Sequence, residues 1–519
     1  MTTHAAALNL ARYCLEARAL DPSSAGRAAF TFARSYDDAS LDETWTYAEA
    51  WARVQRIARG LLERGLAPGD RVLLRLPHSP DYAFAFFGAN LAGLVPIPAS
   101  PQLTAEEAAF LLADADARAV IATPELRIEG FAGIEVLAAD LRALDGPGPL
   151  PETAAQDPAF LIYTSGTTAR PKGVLHAQRT VLGRALMRDA WEGFGPTDVT
   201  LHAGTLNWSY TLGVGLMDPW AAGAHAVLFG GEYDGASRSA GWPRLVERLG
   251  VTVFVAVPTV YRQLLKYGLV EEGAGARLRS LRHGLCAGEA MPPALLEEWR
   301  ERAGTELYEA LGMTEVSTYI SSGPITPIRL GSPGRPQPGR RVAILPLEAG
   351  TDPLSPLEPG LLAVHRSDPG LMLGYWRRPD EEATVFRGDW FIGGDLAALD
   401  ADGYLWFHGR ADDVIKSFGY RLSPIEIEAT LASCPGVAEV AVVGVAVDEA
   451  KTLVTACVVR ATEASGAALD EGALAAHARA HLAGYKQPHA YRFVDALPRT
   501  PNGKVVRRLL VEQVRDSLS

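Results

Sequence analysis

The sequence predicts an α/β protein: a large N-terminal domain of helix-covered mixed sheets followed by a small C-terminal α+β domain. Three observations support this. Helix-like and strand-like segments alternate through residues 1–400, and the strand-like ones are nearly continuous in apolar residues, the pattern of strands covered on both faces. After about Asp389 the signals change to hairpins and paired strands. The chain also has 519 residues, 48% of them hydrophobic, which is too much for one core and requires at least two domains.

Each element has its own reason. Thr46-Tyr47-Ala48-Glu49 is a capping box that opens an amphipathic helix to about Arg64. Arg71–Leu76 is a strand, and Ser79-Pro80 sets an N-cap with proline at the first helical position. Tyr82 to Ala105 carries no charge, but Gly88, Gly93, Pro96, Pro98 and Pro101 interrupt it, so it reads as a buried helix, a strand and a loop, not a membrane span. Strands are expected at Ala119–Ala122, Ala159–Tyr163, Ala224–Phe229 and Val251–Val257, with helices at Thr259–Tyr267 and Pro292–Arg302. Asp402-Gly403 between two short runs predicts a hairpin. From Pro424 onward a helix, strands Val437–Val445 and Leu453–Val459, another helix and a short strand complete a domain of about 110 residues. The expected division is 1–409 and 410–519.

Composition narrows the function classes. A net charge of −12 argues against broad nucleic-acid binding while allowing a local phosphate pocket. Cys14, Cys286, Cys434 and Cys457 are far apart with no CxxC pair, which fits buried free thiols in a reducing cytoplasm and neither a disulfide framework nor a zinc knuckle. Arg12, Glu16 and Arg18 stand where a signal peptide needs an apolar run. The expected partner is a small molecule, with no nucleic acid and no stable membrane insertion.

The chemistry is concentrated in YTSGTTARPKGVLH, Tyr163 to His176, where a strand runs into hydroxyls and glycine and ends at Lys172. Backbone N–H groups and hydroxyls in such a loop can wrap phosphate oxygens, and a lysine adds a point charge. It is not a Walker A loop, because Gly173-Val174 follows the lysine. Taken alone, a Ser/Thr/Gly loop is also an ordinary turn.

The loop resembles the phosphate signature of the adenylate-forming superfamily of acyl-CoA synthetases, peptide-synthetase adenylation domains and luciferases. CAGEA (286–290), EALGMTE (309–315), GDL (394–396), GRADDVIKSFGYRLSPIEIE (409–428) and PRTPNGKVVRR (498–508) follow in that family's order. The local look is closest to benzoate-type and medium-chain acyl-CoA ligases. Two positions depart from the pattern: Ala169 where the family has Gly, Thr or Glu, and Leu311 where many members place the tyrosine that stacks on adenine.

The resemblance implies a two-step reaction. A carboxylate attacks the α-phosphorus of ATP and pyrophosphate leaves; a thiol then displaces AMP. Thr164, Ser165, Gly166, Thr167, Thr168 and Lys172 would hold the β- and γ-phosphates. Glu315 would take Mg²⁺, a hard cation that prefers oxygen, and Thr314 would meet the α-phosphate. Gly288, Glu289, Ala290, Leu311, Gly312 and Met313 would line the adenine side, with Arg421 also at the nucleotide. Asp395 would accept from the ribose hydroxyls and Arg410 donate to them.

Lys504 would stabilise the transition state from the C-terminal domain. That domain would be mobile, with its hinge near Asp412, and would present Gly419 and Tyr420, with Trp208 opposite, along a channel for coenzyme A. Leu206, Trp208 and Tyr210 match the acyl-pocket region, with Val316, Thr318 and Ile320 as a second wall. The large rings favour an aryl or short- to medium-chain acid. The expected activity is thus an ATP- and Mg²⁺-dependent, cytoplasmic acyl-CoA ligase, with a homodimer as the expected assembly. The alternatives are an adenylating enzyme that loads a carrier protein or other nucleophile, and a nucleotide sensor that binds ATP without releasing pyrophosphate.

Overall fold

The computed structural model describes residues 7–164, 171–270, 273–411, 413, 415–417, 420–446, 452–461, 469–499 and 505–516, with backbone alone for 416, 420, 421 and 516. It is mixed α/β, with a large N-terminal and a small C-terminal domain. Packing divides the chain into two compact units, 1–341 with 364–391, and 342–363 with 392–519. The domain boundary expected at 409/410 lies within the second of these units.

In the first unit, nine described strands form a mixed sheet. Glu306–Met313, His283–Ala287, Val253–Ala256, Val199–His202, His225–Phe229 and Ala28–Ala33 run parallel side by side. Antiparallel strands Ser317–Ser321 and Glu43–Thr46 flank them. A second, all-parallel sheet orders Val95–Pro98, Arg71–Arg75, Ala119–Ala122 and Ile134–Leu137. A third, antiparallel sheet sets Lys172–Ala177 between Pro158–Thr164 and the two-residue strand Gly374–Tyr375.

The expected capping box is present: Glu49 N–H donates to Thr46 Oγ1 at 3.2 Å and Thr46 N–H to Glu49 Oε2 at 2.8 Å. It opens the helix Tyr47–Glu63, which buries Tyr47, Ala50, Trp51, Val54, Ile57, Ala58 and Leu61 at helical spacing. This face packs on helix Pro80–Leu91. A Cβ on Gly88 would lie 2.5 Å from Ile57 Cγ2, so only glycine permits the approach. The uncharged segment is therefore a buried helix and the strand Val95–Pro98, as expected, and no described helix is long and apolar enough to cross a membrane. The helix expected at Thr259–Tyr267 is α-helical over Pro258–Gln263 and widens to a π turn at Leu264–Gly268. All four cysteines are buried and free.

In the second unit, Leu405–Arg410 pairs antiparallel with residues 395–399 across the Asp402-Gly403 turn, and Gly403 has φ +80°. Val437–Ala446 and Thr452–Arg460 form a long antiparallel pair, joined in parallel by Ala490–Phe493. Helices Pro424–Ala432 and Glu471–His481 bury Ile427, Leu431, Leu474 and Ala478 in one core with Val442, Val454 and Val458. The other face of the sheet buries Leu510 and Val514 of helix Arg507–Asp516.

Candidate active site

Lys172 and Glu315, two of the charged groups singled out by the sequence, stand at strand ends of the first unit. Thr164 closes the strand Pro158–Thr164 and faces Lys172, which opens the next strand, and Thr164 Oγ1 lies 3.5 Å from the Lys172 carbonyl oxygen. Ser165, Gly166, Thr167 and Thr168 lie outside the described residues. Lys172 Nζ stands 3.9 Å from the centroid of the Tyr375 ring.

Thr314 and Glu315 occupy the turn between Glu306–Met313 and Ser317–Ser321. The hairpin closes so tightly that a Cβ on Gly312 would be 2.4 Å from the Ser317 carbonyl oxygen, and Ser317 itself adopts φ +80°, an uncommon backbone for a residue with a side chain.

Three contacts hold this turn. His176 Nε2 lies 2.8 Å from the Thr314 carbonyl oxygen. Burial pushes the imidazole down to about 4, so it is neutral at pH 7; with only an acceptor facing it, Nε2 carries the proton and donates. Met372 N–H donates to the Glu315 carbonyl at 2.7 Å. Tyr375 Oη–H donates to Glu315 Oε1 at 2.8 Å.

Deeper support comes from Arg340 and Asp368, both fully buried at the side chain. Arg340 spends its Nε–H on Gln337, its Nη1 protons on both Asp368 oxygens, and its Nη2 protons on the carbonyls of Gly183 and Thr318, so all five donors of the guanidinium are matched.

Around the segment that the resemblance assigns to adenine, Met291 N–H donates to Glu309 Oε1 at 3.0 Å and Thr259 Oγ1 to Glu289 Oε2 at 3.3 Å, which fixes the Gly288–Ala290 loop. Burial pushes the Glu309 carboxyl up to about 7. Gly288 has φ +100°, and a Cβ there would lie 3.5 Å from the Trp208 ring. Trp208 meets Tyr210 edge to face at 5.2 Å, and Tyr210 lies nearly parallel to Trp191 at 6.3 Å.

Of the residues expected to form a second wall, Ile320 pairs with Leu311 and Thr318 with Gly312, with a register shift between the two pairs that leaves Tyr319 as the extra residue; Val316, Thr318 and Ile320 are buried. Leu206 packs in a different apolar core from Trp208 and Tyr210, and its N–H donates to His78 Nδ1 at 3.2 Å.

Sequence reading missed His202. It ends the strand Val199–His202, and its ring meets Tyr210 edge to face at 4.7 Å. Burial pushes its imidazole down to about 3. Nδ1 accepts from Gly204 N–H at 2.9 Å, so Nε2 carries the proton. Neither that Nε2 nor Tyr210 Oη has a hydrogen-bond partner among the described residues. An alternation of Thr and His with apolar residues just before the Trp208 segment was the available signal.

In the second unit, Asp395 lies in the strand Trp390–Leu399 directly across from Arg410, and it is buried. Arg410 Nη1 donates to Asp395 Oδ1 at 3.0 Å and to the Gly393 carbonyl at 2.7 Å. Gly394 at φ +84° shapes this corner. Tyr420 and Arg421 belong to the strand Tyr420–Leu422, while Asp412, Gly419 and Lys504 lie outside the described residues. The flanks of Lys504 are tied down: Arg499 bridges Val505, Val506 N–H donates to the Pro498 carbonyl at 2.8 Å, and Arg507 pairs with Glu428 and with Asp413.

No group of three or more His, Cys, Asp or Glu that could hold a metal exists among the described residues. A cation at Glu315 would therefore take one carboxylate from the turn and its other ligands from phosphate and water. That donor set suits Mg²⁺, which keeps several waters and binds through one or two carboxylates plus phosphates.

Comparison with known proteins bears on the whole chain. Residues 21–376 match the family of AMP-binding enzymes, and residues 426–504 match the AMP-binding enzyme C-terminal domain. A 3-hydroxybenzoate–CoA ligase of Aromatoleum sp. (strain CIB) is 32% identical over 496 residues, 91% of this chain and 92% of that one. The ATP-bound structure of MatB from Rhodopseudomonas palustris superposes with a TM-score of 0.86 at 28% identity, covering 98% of this chain and 99% of that one. A benzoate CoA ligase from Burkholderia xenovorans LB400 superposes at 0.82 with 30% identity, covering 97% and 99%.

Proposed function

We propose that this chain, which belongs to the AMP-binding enzymes and is an ATP-dependent, AMP-forming acyl-CoA ligase, takes an aromatic acid of about the size of benzoate as its acyl donor. Its reaction uses ATP, Mg²⁺ and coenzyme A.

The cluster of Trp191, Trp208, Tyr210 and His202 carries the choice of acid. Flat rings in stacked and edge-to-face contact form a short, rigid wall that accepts another flat ring better than an extended chain. The unpartnered Nε2–H of His202 and Oη of Tyr210 give this apolar wall two hydrogen-bonding groups, which suits a ring bearing a hydroxyl. Of the two aryl ligases named above, one is named for 3-hydroxybenzoate and the other for benzoate.

The site residues take these roles in the reading. Lys172 and the loop from Thr164 hold the β- and γ-phosphates, so that charge leaving with pyrophosphate is met by a preset cation. Glu315 and Thr314 sit where the hairpin turn presents them, Glu315 to Mg²⁺ and Thr314 to the α-phosphate; the metal, when bound, neutralises phosphate charge. The Asp395–Arg410 pair takes the ribose. Lys504 reaches the reacting α-phosphate in the first step. Asp412 is the hinge at the 409/410 division, and Gly419 leaves space for the thiol arm in the second step. The enzyme works in the cytoplasm as a homodimer; a sedimentation mass of a single chain would remove the dimer.

The test is pyrophosphate release from MgATP with benzoate, hydroxybenzoates, phenylacetate, cinnamate and C2–C12 fatty acids, each with and without coenzyme A. Aryl acids, hydroxybenzoates foremost, should give sustained release that requires coenzyme A. Run on Trp208→Ala, the same panel should shift about tenfold from benzoate toward C8–C10 acids, since a changed pocket wall alters discrimination on that scale. Turnover confined to fatty acids in the parent enzyme, or an unmoved profile in the variant, would reject the aryl pocket.

A further inference from the structure

Lys172 and Glu315 are 143 positions apart, carry opposite charge, and both touch Tyr375. The two-residue strand Gly374–Tyr375 lies beside Lys172–Ala177, with Tyr375 opposite Val174 and Trp376 N–H bonded to the Gly173 carbonyl at 2.8 Å. That register sets the tyrosine ring against the lysine ammonium at 3.9 Å, within cation–π range. On the same short segment, Met372 N–H holds the Glu315 backbone and Tyr375 Oη–H holds its carboxylate. Tyr375 is 6% exposed, so both contacts are shielded from water on its side. Among the described residues no ion pair joins Lys172 to Glu315. A lysine and a glutamate free to meet would neutralise each other, and neither could then receive its part of MgATP without first breaking the pair.

We propose that Tyr375 is a positioning residue that keeps these two charges apart and aimed: its ring face holds the Lys172 ammonium while its hydroxyl holds the Glu315 carboxylate. This rests on the reading of Lys172 as a phosphate ligand and Glu315 as the Mg²⁺ ligand. The phenol does two separable jobs. The hydroxyl orients one carboxylate oxygen and leaves the other for the metal. The ring gives the lysine a resting place that costs no counter-charge, so the ammonium stays available to phosphate oxygens.

The two jobs separate by substitution. Tyr375→Phe keeps the ring and removes the hydroxyl; Tyr375→Leu removes both. Binding of the non-hydrolysable analogue α,β-methylene-ATP is measured by calorimetry on the full chain, without metal and across a Mg²⁺ titration, alongside pyrophosphate release over the same range.

Tyr375→Phe should raise the half-saturating Mg²⁺ about tenfold, the scale of one hydrogen bond to a charged group, while metal-free affinity for the analogue stays as in the parent. Tyr375→Leu should add a several-fold loss of metal-free affinity as the lysine loses its seat. Glu315→Gln and Lys172→Ala serve as references. If Glu315→Gln raises the Mg²⁺ requirement and Tyr375→Phe does not, the positioning role is overturned while the reading of Glu315 stands. If Glu315→Gln itself leaves the Mg²⁺ requirement unchanged, that reading fails and the proposal fails with it.

Discussion

Replacing Arg340 by methionine should cost about 3–5 kcal/mol of stability, the range for a buried ion pair stripped of one partner. The reason is Asp368. Its side chain is fully buried, and its oxygens are held by Arg340 Nη1 and, on Oδ1, by Gly370 N–H at 2.8 Å. Methionine fills much of the space but offers no donor, so a carboxylate is left nearly unpaired in the interior. The carbonyls of Gly183 and Thr318 lose their partners in the same step, and each orphaned buried group adds its own desolvation cost.

Repacking has little room, because a Cβ on Gly183 would come within 2.3 Å of the Gly370 backbone nitrogen. The double variant Arg340→Met/Asp368→Leu should recover a large part of the loss, since an apolar pair of similar size avoids the stranded charge. Arg340→Lys should not recover it, because one ammonium cannot serve five acceptors in a planar fork.

Denaturant midpoints for the three variants check the order. A single-variant loss below about 1 kcal/mol would place the pair among weak surface-like contacts and remove it as the support of the Glu315 turn. The same substitution should lower adenylation more than it lowers ATP affinity, because Thr318 lies three residues beyond Glu315 and its carbonyl is one of the bonds lost.

Elements fixed by local rules were legible from the sequence. The Thr46–Glu49 box, the apolar strand Ala119–Ala122, the Asp402-Gly403 hairpin and the paired strands from Val437 all carry their cause within a few residues, and all are present. The sequence singles out Lys172, Glu315 and Asp395 by their chemistry, but not the contacts that hold them.

Tyr375 follows Glu315 by 60 residues and Lys172 by more than 200. Its strand is two residues long and shows no period that a sequence could reveal. Nothing in the stretch Tyr163–His176 reveals that its final histidine holds the Thr314 carbonyl. His202 sits in a strand too short and too polar to stand out from the approach to Trp208. The π turn at Leu264–Gly268 departs from the expected helix because widening by one residue leaves the apolar spacing almost unchanged. Contacts that close over long sequence separation depend on the register of neighbouring strands, and that register is a property of the assembled sheet.

Lys504→Ala should reduce adenylation by at least about a hundredfold, the scale of one electrostatic stabiliser of a transition state, with folding intact. The flanking structure argues that the loss is chemical. The Arg499–Val505 bridge and the bond from Val506 N–H to the Pro498 carbonyl close the chain on both sides of Pro501-Asn502-Gly503-Lys504 through backbone alone. Arg507 is anchored independently on Glu428 and Asp413. Removing one side chain from that segment leaves every one of these ties in place, so the denaturation midpoint should not move.

The defect should also be confined to one half-reaction. If Lys504 neutralises charge building between the acid's carboxylate and the α-phosphate, it has no part once the acyl-adenylate exists. ATP–pyrophosphate exchange should collapse in the variant. Thioester formation from separately supplied acyl-adenylate and coenzyme A should proceed within a fewfold of the parent rate. Equal loss of both half-reactions would instead assign Lys504 to the architecture of the C-terminal domain. Undiminished exchange would take it out of the mechanism and leave the α-phosphate charge to Lys172 and Thr314.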